Sequence, residues 1–431
     1  MVLPPKLVPP KPVDIAFEEF LQALPPDYHA LAFEFKAFTR SRKIQTPAQL
    51  LQVVMSYCGV DAVLREVAGN FTLLHERITD TAIHKRLKAC GPWLKALLQR
   101  MLPGLDKLPG QLRFVLVDGS SVQGPGAQGT GYRLHLALDL VTLTLRHLEV
   151  TGPEEGERLD RYPWQDGDVV IADRGYNQPE TILRLSEQAV LVMIRLNPWA
   201  MPLYQRTGER LDLGEHLQGV TAEYACLPVW LGKPGRACEG WVHAYRLAPA
   251  QAEAARRRCR QNAQGRTPSQ RTLFLAGWVL VFTTVPPEVI GTETVIALYR
   301  VRWQVELAIK RLKSVLDLDL LRAKQGSQLA EVWLYGKLLY ALVIDQRARR
   351  HVGEDWSRLE RQRPATWWRL WKTTRREVAE WITGVLHWRA ENWQACFEVM
   401  RERPRRRQLQ ALPDGVNQLI EVCRRAGLCA V

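Results

Sequence analysis

Two short apolar runs, FVLVD at 114–118 and DVVIAD at 168–173, each close on an aspartate, and together they constrain the chain more than any other feature. Runs of this length, apolar and rich in valine, suit strands covered on both faces of a sheet. An acid at the carboxyl end of such a strand stands where open α/β sheets hold their ligands. After FVLVD come the glycine-rich GSSVQGPGAQGTG and two strand patterns, YRLHLALDL (132–140) and LTLRHLEV (143–150), which predict a meander. EEGERLD reads as a short helix, QPETILRLSEQ (178–188) as a longer one, and AVLVMIRL (189–196) as a buried strand. The order β-β-β-α-β-α-β describes an α/β core over 111–197. If its first and fourth strands pair at the centre, Asp118 and Asp173 lie side by side.

The flanks differ. Behind a short disordered lead (1–13), residues 14–110 alternate helical patterns with breaks and carry no strand, which predicts a helical, DNA-binding domain. Thr46-Pro47 offers a capping hydroxyl with proline at the first helical position, followed by Leu50, Leu51, Val54 and Met55 at helical spacing. A second helix is expected over Val60–Ala68, stopping at Gly69-Asn70. A third, capped by Thr79 or Asp80, runs to Cys90 and carries His84, Lys85, Arg86 and Lys88. These four suit either a helix in a DNA major groove or a solvated basic face. Residues 198–285 read as a β-rich insertion that includes LFLAGWVLVFTT (273–284) as a strand. Residues 286–325 return to the core through a helix, and 326–431 form a helical C-terminal region for DNA contact or dimerisation.

Charge narrows the partner. A net charge of +14 and a pI near 9.6 favour an acidic polymer, with nucleic acid the first candidate. Residues 341–431 hold 18 Lys+Arg against 11 Asp+Glu, and five of those arginines stand in RERPRRR (401–407), either binding DNA or keeping a loop solvated. Six more arginines and no acid occupy 256–271. No apolar run approaches the ~20 residues that span a bilayer. Prolines interrupt the N-terminus where a signal peptide needs an apolar helix, so the expected location is cytoplasmic and nucleoid-associated. The eight cysteines show neither CxxC nor metal-ligand spacing and read as reduced, small apolar residues.

A third acid stands in LYRVRWQVELAIKRLKSVL. On one helix, Tyr299, Arg302, Glu306, Lys310 and Lys313 fall within an arc of roughly 80°. One acid between cations suits a metal ligand whose neighbours hold a phosphate backbone, or an exposed face of i,i+4 ion pairs.

At this point the chain resembles the DDE transposases of insertion-sequence family 4. Tyr299, Arg302, Glu306 and Lys313 match that family's Y-x2-R-x3-E-x6-K signature, and VDGSSV and IADRGY resemble its two aspartate motifs. The resemblance covers roughly 111–325. It implies an RNase H-like catalytic core in which Asp118, Asp173 and Glu306 carry two Mg²⁺ ions, with Mn²⁺ as substitute. It also implies cutting and rejoining of double-stranded DNA at the element's terminal inverted repeats through a hairpin, by a homodimer on DNA, followed by joining to target DNA. Tyr299, Arg302, Lys310, Lys313 and Arg174 are then expected on DNA, and Trp278 stacks on an extruded base or serves the core. Asp139, Glu154, Glu155, Glu157 and Asp160 read as surface charges. Open alternatives are a DNA-binding protein that kept the fold without catalysis, a nuclease of the same fold that cuts but never joins, and an RNA-binding protein supported by charge alone.

Overall fold

The protein's computed structural model describes residues 12–103, 111–126, 129–263, 266–353, 367–383 and 414–425. Most of the expected disordered lead and the arginine run 401–407 lie outside the described residues. Six helices come first: α1 (Pro12–Gln22), α2 (Tyr28–Glu34), α3 (Pro47–Cys58), α4 (Leu64–Leu74), α5 (Asp80–Leu87) and α6 (Gly91–Met101). The Thr46 hydroxyl caps α3 by accepting from the Gln49 amide, and Thr79 rather than Asp80 caps α5 through the Ala82 amide. Helix α4 starts later than its sequence suggests and continues through Gly69 and Asn70. Val67, Ala68 and Phe71 are buried on its inner side, and that burial outweighs the ~1 kcal/mol a glycine costs within a helix.

The sheet follows. Strands β1 (Arg113–Val122), β2 (Tyr132–Asp139) and β3 (Leu145–Thr151) form the antiparallel meander. A 3₁₀ turn at Leu159–Arg161 replaces the expected short helix, and β4 (Asp168–Ala172) then lies parallel beside β1. Through α7 (Pro179–Glu187) the chain reaches β5 (Leu191–Arg195), parallel to β4. Next come β6 (Leu203–Tyr204), α8 (Leu213–Gln218), β7 (Tyr224–Lys233), β8 (Arg236–Arg246), α9 (Pro249–Gln261), α10 (Gln270–Leu275) and β9 (Trp278–Thr283). The segment 273–284 is thus not one strand: the Ser269 hydroxyl caps α10 and draws Leu273–Leu275 into a helix. The nine strands among the described residues join one sheet, ordered β3-β2-β1-β4-β5-β9-β8-β7-β6.

Period-two alternation divides the strands' side chains between two cores. Phe114, Leu116, Val169 and Ile171 face the core shared with the long helices, whereas Val115, Val117, Val170 and Ala172 face α7 and α8. Helices α11 (Thr292–Val301) and α12 (Trp303–Leu316) cover the first face, followed by α13 (Gln328–Val352), α14 (Trp367–Thr383) and α15 (Asp414–Arg425). The 25-residue α13 is the spine on which α3, α6 and α14 pack. Within it the fully buried Lys337 pairs with Asp61 from the loop after α3. Trp371 of α14 is a core side chain that donates to Asp345 (3.1 Å). On α5, Arg86 turns inward to the Arg40 carbonyl (2.6 Å) and the Phe38 ring, so it is not free for a groove. His84 and Lys88 instead line a cleft of about 630 Å³ with Arg322 and Lys324. Among the described residues no helix is long and apolar enough to cross a membrane.

Candidate active site

Strands β1 and β4 pair from Arg113↔Asp168 to Leu116↔Ile171, a constant offset of 55 residues. The interval from Asp118 to Asp173 is the same, 173 − 118 = 55, so the register sets the two acids level. Their parity places them on the face of Phe114, Leu116, Val169 and Ile171, under the long helices. The parallel pairing ends two residues before Asp118. Strand β1 was expected to stop at this acid, but it continues to Val122 with β2 as partner (Asp118↔Leu136), while β4 ends at Ala172. The aspartates therefore sit at the mouth where two parallel neighbours part, which is the ligand position of α/β sheets. Asp173 turns the chain out of the sheet, its Oδ1 accepting from the Gly175 amide at 2.8 Å.

The third acid arrives from above. Tyr299 and Glu306 do not share one straight helix: the chain between α11 and α12 tightens at Arg302, whose amide donates to the Tyr299 carbonyl (3.2 Å) while its own carbonyl accepts from Val305 (3.1 Å). These are i→i+3 bonds, a single 3₁₀ turn without proline or glycine. The turn aims Arg302 at both strand and helix. Its guanidinium lies 3.4 Å from Asp118 Oδ2 and donates to Glu306 Oε1. Burial pushes the Asp118 carboxyl up to about 6; Arg302 and the Gly119 amide oppose the rise, and Asp173 and Glu157 add to it. Among the described residues no three carboxylate, imidazole or thiol side chains already stand close enough to grip one ion. Yet the oxygen-only donors around a guanidinium have the chemistry of a hard divalent cation's site.

Tyr299 is half-buried, its ring between two guanidinia: Arg195 at 5.7 Å and Arg302 at 6.0 Å from the centroid. Arg195, at the end of β5, gave no signal in the sequence beyond being the one charge in a buried strand. Burial and the neighbouring Arg174 lower it to about 10. Asp173, Arg174, Arg195, Tyr299 and Arg302 line one end of a groove of about 1150 Å³ that runs along α9 past Arg258 and Arg266. Lys310 lies elsewhere, its Nζ 3.9 Å from the centre of the exposed Trp303 ring. Lys313, seven residues beyond Glu306, makes no ion pair among the described residues.

Two expectations are corrected here. Trp278 is 4% exposed, starts β9 in the second core and lies beneath Arg246 (4.7 Å), so its ring is not offered to a base. The exposed aromatic of the groove is Trp199, 57% accessible, with Arg271 over its ring at 5.4 Å. Nor are all the spare acids surface charges. Asp139 is buried, accepting from the Val141 and Thr142 amides and pairing with Arg146 (3.2 Å). Glu157 is half-buried between exposed neighbours, its carboxylate beside Gly119 and Gly175, the glycines that follow the two aspartates.

Comparison with known proteins gives the family. The family model for the transposase DDE domain matches residues 109–342, a span that contains Asp118, Asp173 and Glu306. The putative transposase InsL for insertion sequence element IS186A of Escherichia coli K12 is 33% identical over 323 residues, 72% of this chain and 87% of the relative. The transposase for insertion sequence element IS421 of Escherichia coli is 33% identical over 324 residues, with the same coverage. A more distant one, for IS231F of Bacillus thuringiensis subsp. israelensis, is 27% identical over 246 residues, half of each chain. A DDE domain implies a divalent-metal requirement and DNA as substrate. The chain belongs to the DDE transposase family and is, by that membership, a DNA-cleaving enzyme.

Proposed function

We propose that this protein catalyses cut-and-paste transposition of an insertion sequence, as a member of the insertion-sequence family 4, Y-R-E-K class. In this reading β1 to β5 and α12 are an RNase H-like core, β6 to β9 its insertion, and Asp118, Asp173 and Glu306 hold two Mg²⁺ ions. The observation that carries it is the shared register of 55 residues, which sets Asp118 level with Asp173, together with the single guanidinium that ties Glu306 to the same point. Bound there, the two ions would supply Lewis-acid stabilisation of both the attacking and the leaving oxygen of the scissile phosphate.

The chain's own residues do the rest. The desolvated mouth between β1 and β4 strengthens every charge interaction inside it. Arg302 holds Asp118 and Glu306 in register before the site is filled. Tyr299, Arg195 and Arg174 present a cationic and aromatic edge to the phosphates around the cut. The groove beside them carries the strand past Arg258 and Arg266, and Trp199 offers a base its exposed face. Lys310 and Lys313 lie further along α12, suited to flanking duplex. Water cuts first; the freed 3′-hydroxyl then forms a hairpin on the opposite strand, which is reopened before joining to target DNA. Two terminal inverted repeats are processed together by a homodimer on DNA, in the cytoplasm at the nucleoid.

The test is an end-labelled duplex spanning the DNA that flanks the coding region, incubated with pure protein and Mg²⁺ or Mn²⁺ beside Asp118→Ala protein. A nick followed by a hairpin-length species, made only by the unmutated protein, supports the proposal. Binding without any cutting by either protein overturns it and leaves a DNA-binding protein.

A further inference from the structure

We infer that Glu157 is a fourth carboxylate of the metal-holding constellation, facing the ions from the loop between β3 and β4. The inference rests on the three-acid reading above and deepens it. Glu157 stands in a stretch whose residues 153–156 and 158 are exposed, yet it is itself half-buried. What it is buried against is informative. A Cβ built on Gly119, the residue after Asp118, would come within 2.6 Å of Glu157 Oε1, and one on Gly175, two after Asp173, within 2.9 Å of Oε2. Each aspartate is therefore followed by a glycine at the point where the Glu157 carboxylate passes, and any larger residue would push it out. The carboxylate is received between the two acid-bearing turns.

Three of the four nearby acids have partners that Glu157 lacks; the fourth, Glu154, makes no ion pair among the described residues but is exposed. Glu149 and Glu155 both pair with Arg161, and Asp160 pairs with Arg158 and Arg184. Among the described residues the Glu157 carboxylate has neither an ion pair nor a hydrogen bond, although Arg133 and Arg302 lie near enough to act on it. The loop is instead anchored by its backbone: the Glu157 carbonyl accepts from Gln178 Nε2 at 2.5 Å, and the Gly156 carbonyl from Arg161. A half-buried carboxylate set beside two others, with Arg133 and Arg302 near it but neither paired to it, is unfavourable in the empty site and favourable once divalent charge is present. Burial and Asp173 accordingly push its carboxyl up. Asp118, Asp173, Glu306 and Glu157 oppose a single bridging guanidinium, a charge excess that fits two divalent ions better than one.

The experiment follows Mn²⁺ binding without DNA, by the electron paramagnetic resonance signal of free Mn²⁺, in the wild type, Glu157→Gln, Glu155→Gln and Asp173→Asn. Glutamine fills the same space between Gly119 and Gly175, and circular dichroism checks that the fold is kept. The expected result is a 10- to 100-fold weaker Mn²⁺ affinity in Glu157→Gln, as is typical when a group tuning a metal site is removed. Glu155→Gln should bind as the wild type does, and Glu157→Asp, which keeps the charge, should fall between. Cleavage by bound Fe²⁺ with ascorbate should cut the wild-type backbone near 118, 157 and 173, with Mg²⁺ competing. Wild-type Mn²⁺ affinity in Glu157→Gln, while Asp173→Asn loses binding, overturns the inference alone. Unchanged binding in Asp173→Asn as well overturns the three-acid reading with it.

Discussion

Replacing Asp118 with asparagine should abolish cleavage and yet stabilise the metal-free protein. The Asp118 side chain is 16% exposed, and its carboxyl is raised from 3.8 to about 6, chiefly by burial. A shift of about 2 units corresponds to about 3 kcal/mol, at 1.36 kcal/mol per unit. The sign follows from linkage: with the folded value above the unfolded one, the group's stabilising contribution is complete below pH 3.8 and is lost as pH rises through about 6. At pH 8 the wild type therefore bears the full cost of an ionised, desolvated Asp118, and an amide of the same shape does not. Loss of the Arg302 contact subtracts from the gain, although Arg302 keeps Glu306. About 3 kcal/mol is thus an upper figure. With an unfolding entropy of roughly 2.1 cal/mol/K per residue it amounts to a few degrees in Tm. The assay is thermal unfolding in EDTA at pH 5 and pH 8, repeated at pH 8 with Mg²⁺. The variant should melt higher than the wild type at pH 8, with a much smaller gap at pH 5, and Mg²⁺ should stabilise only the wild type. Equal or lower stability of the variant at pH 8 would refute the argument that burial governs this carboxylate.

Three other expectations can be checked with the same protein. Arg302→Lys removes the two-pronged bridge between Asp118 and Glu306, because one ammonium cannot span both; cleavage should fall on the order of 10²-fold in a single-turnover assay while duplex binding is retained. Asp61→Asn leaves the fully buried Lys337 without its carboxylate and should cost about 3–5 kcal/mol in urea unfolding, and Lys337→Met added to it should restore most of that. Trp278→Ala should cost about 3–5 kcal/mol of stability as a core truncation, whereas Trp199→Ala should leave stability alone and weaken DNA binding by about 1–3 kcal/mol in a gel-shift titration.

Much of this site can be read from the sequence because it follows local rules. Two valine-rich runs of equal function, each carrying an acid at the same distance along the strand, lead directly to β1 beside β4 with the aspartates level. The parts that cannot be read depend on contacts between distant segments. Nothing in Tyr299–Glu306 breaks a helix, so its 3₁₀ turn reflects what Arg302 finds on β1 rather than any residue preference. The extension of β1 through Gly119-Ser120-Ser121 runs against strand propensity and is sustained by its ladder with β2. The sequence leaves Trp278 open to a base or to the core, and its burial depends on where Arg246 and the second core arrive. Glu157 belongs to no strand end and no spacing rule; its place is set by the two glycines that receive it.

The keystone position of β9 governs how the enzyme is made. This strand is inserted between β5 and β8, although its residues follow β5 by some 80 positions, and Glu306 comes 133 residues after Asp173. At 5–20 residues per second a ribosome needs about 7 to 27 s to add those 133 residues. Throughout that interval the nascent chain has both aspartates but lacks the glutamate, and from the completion of β5 at 195 until β9 is made at 278–283 the edge of β5 that β9 takes is open to any strand nearby. Prematurely terminated chains should therefore be catalytically inert and prone to aggregate, so that DNA cutting is withheld until translation has passed α12.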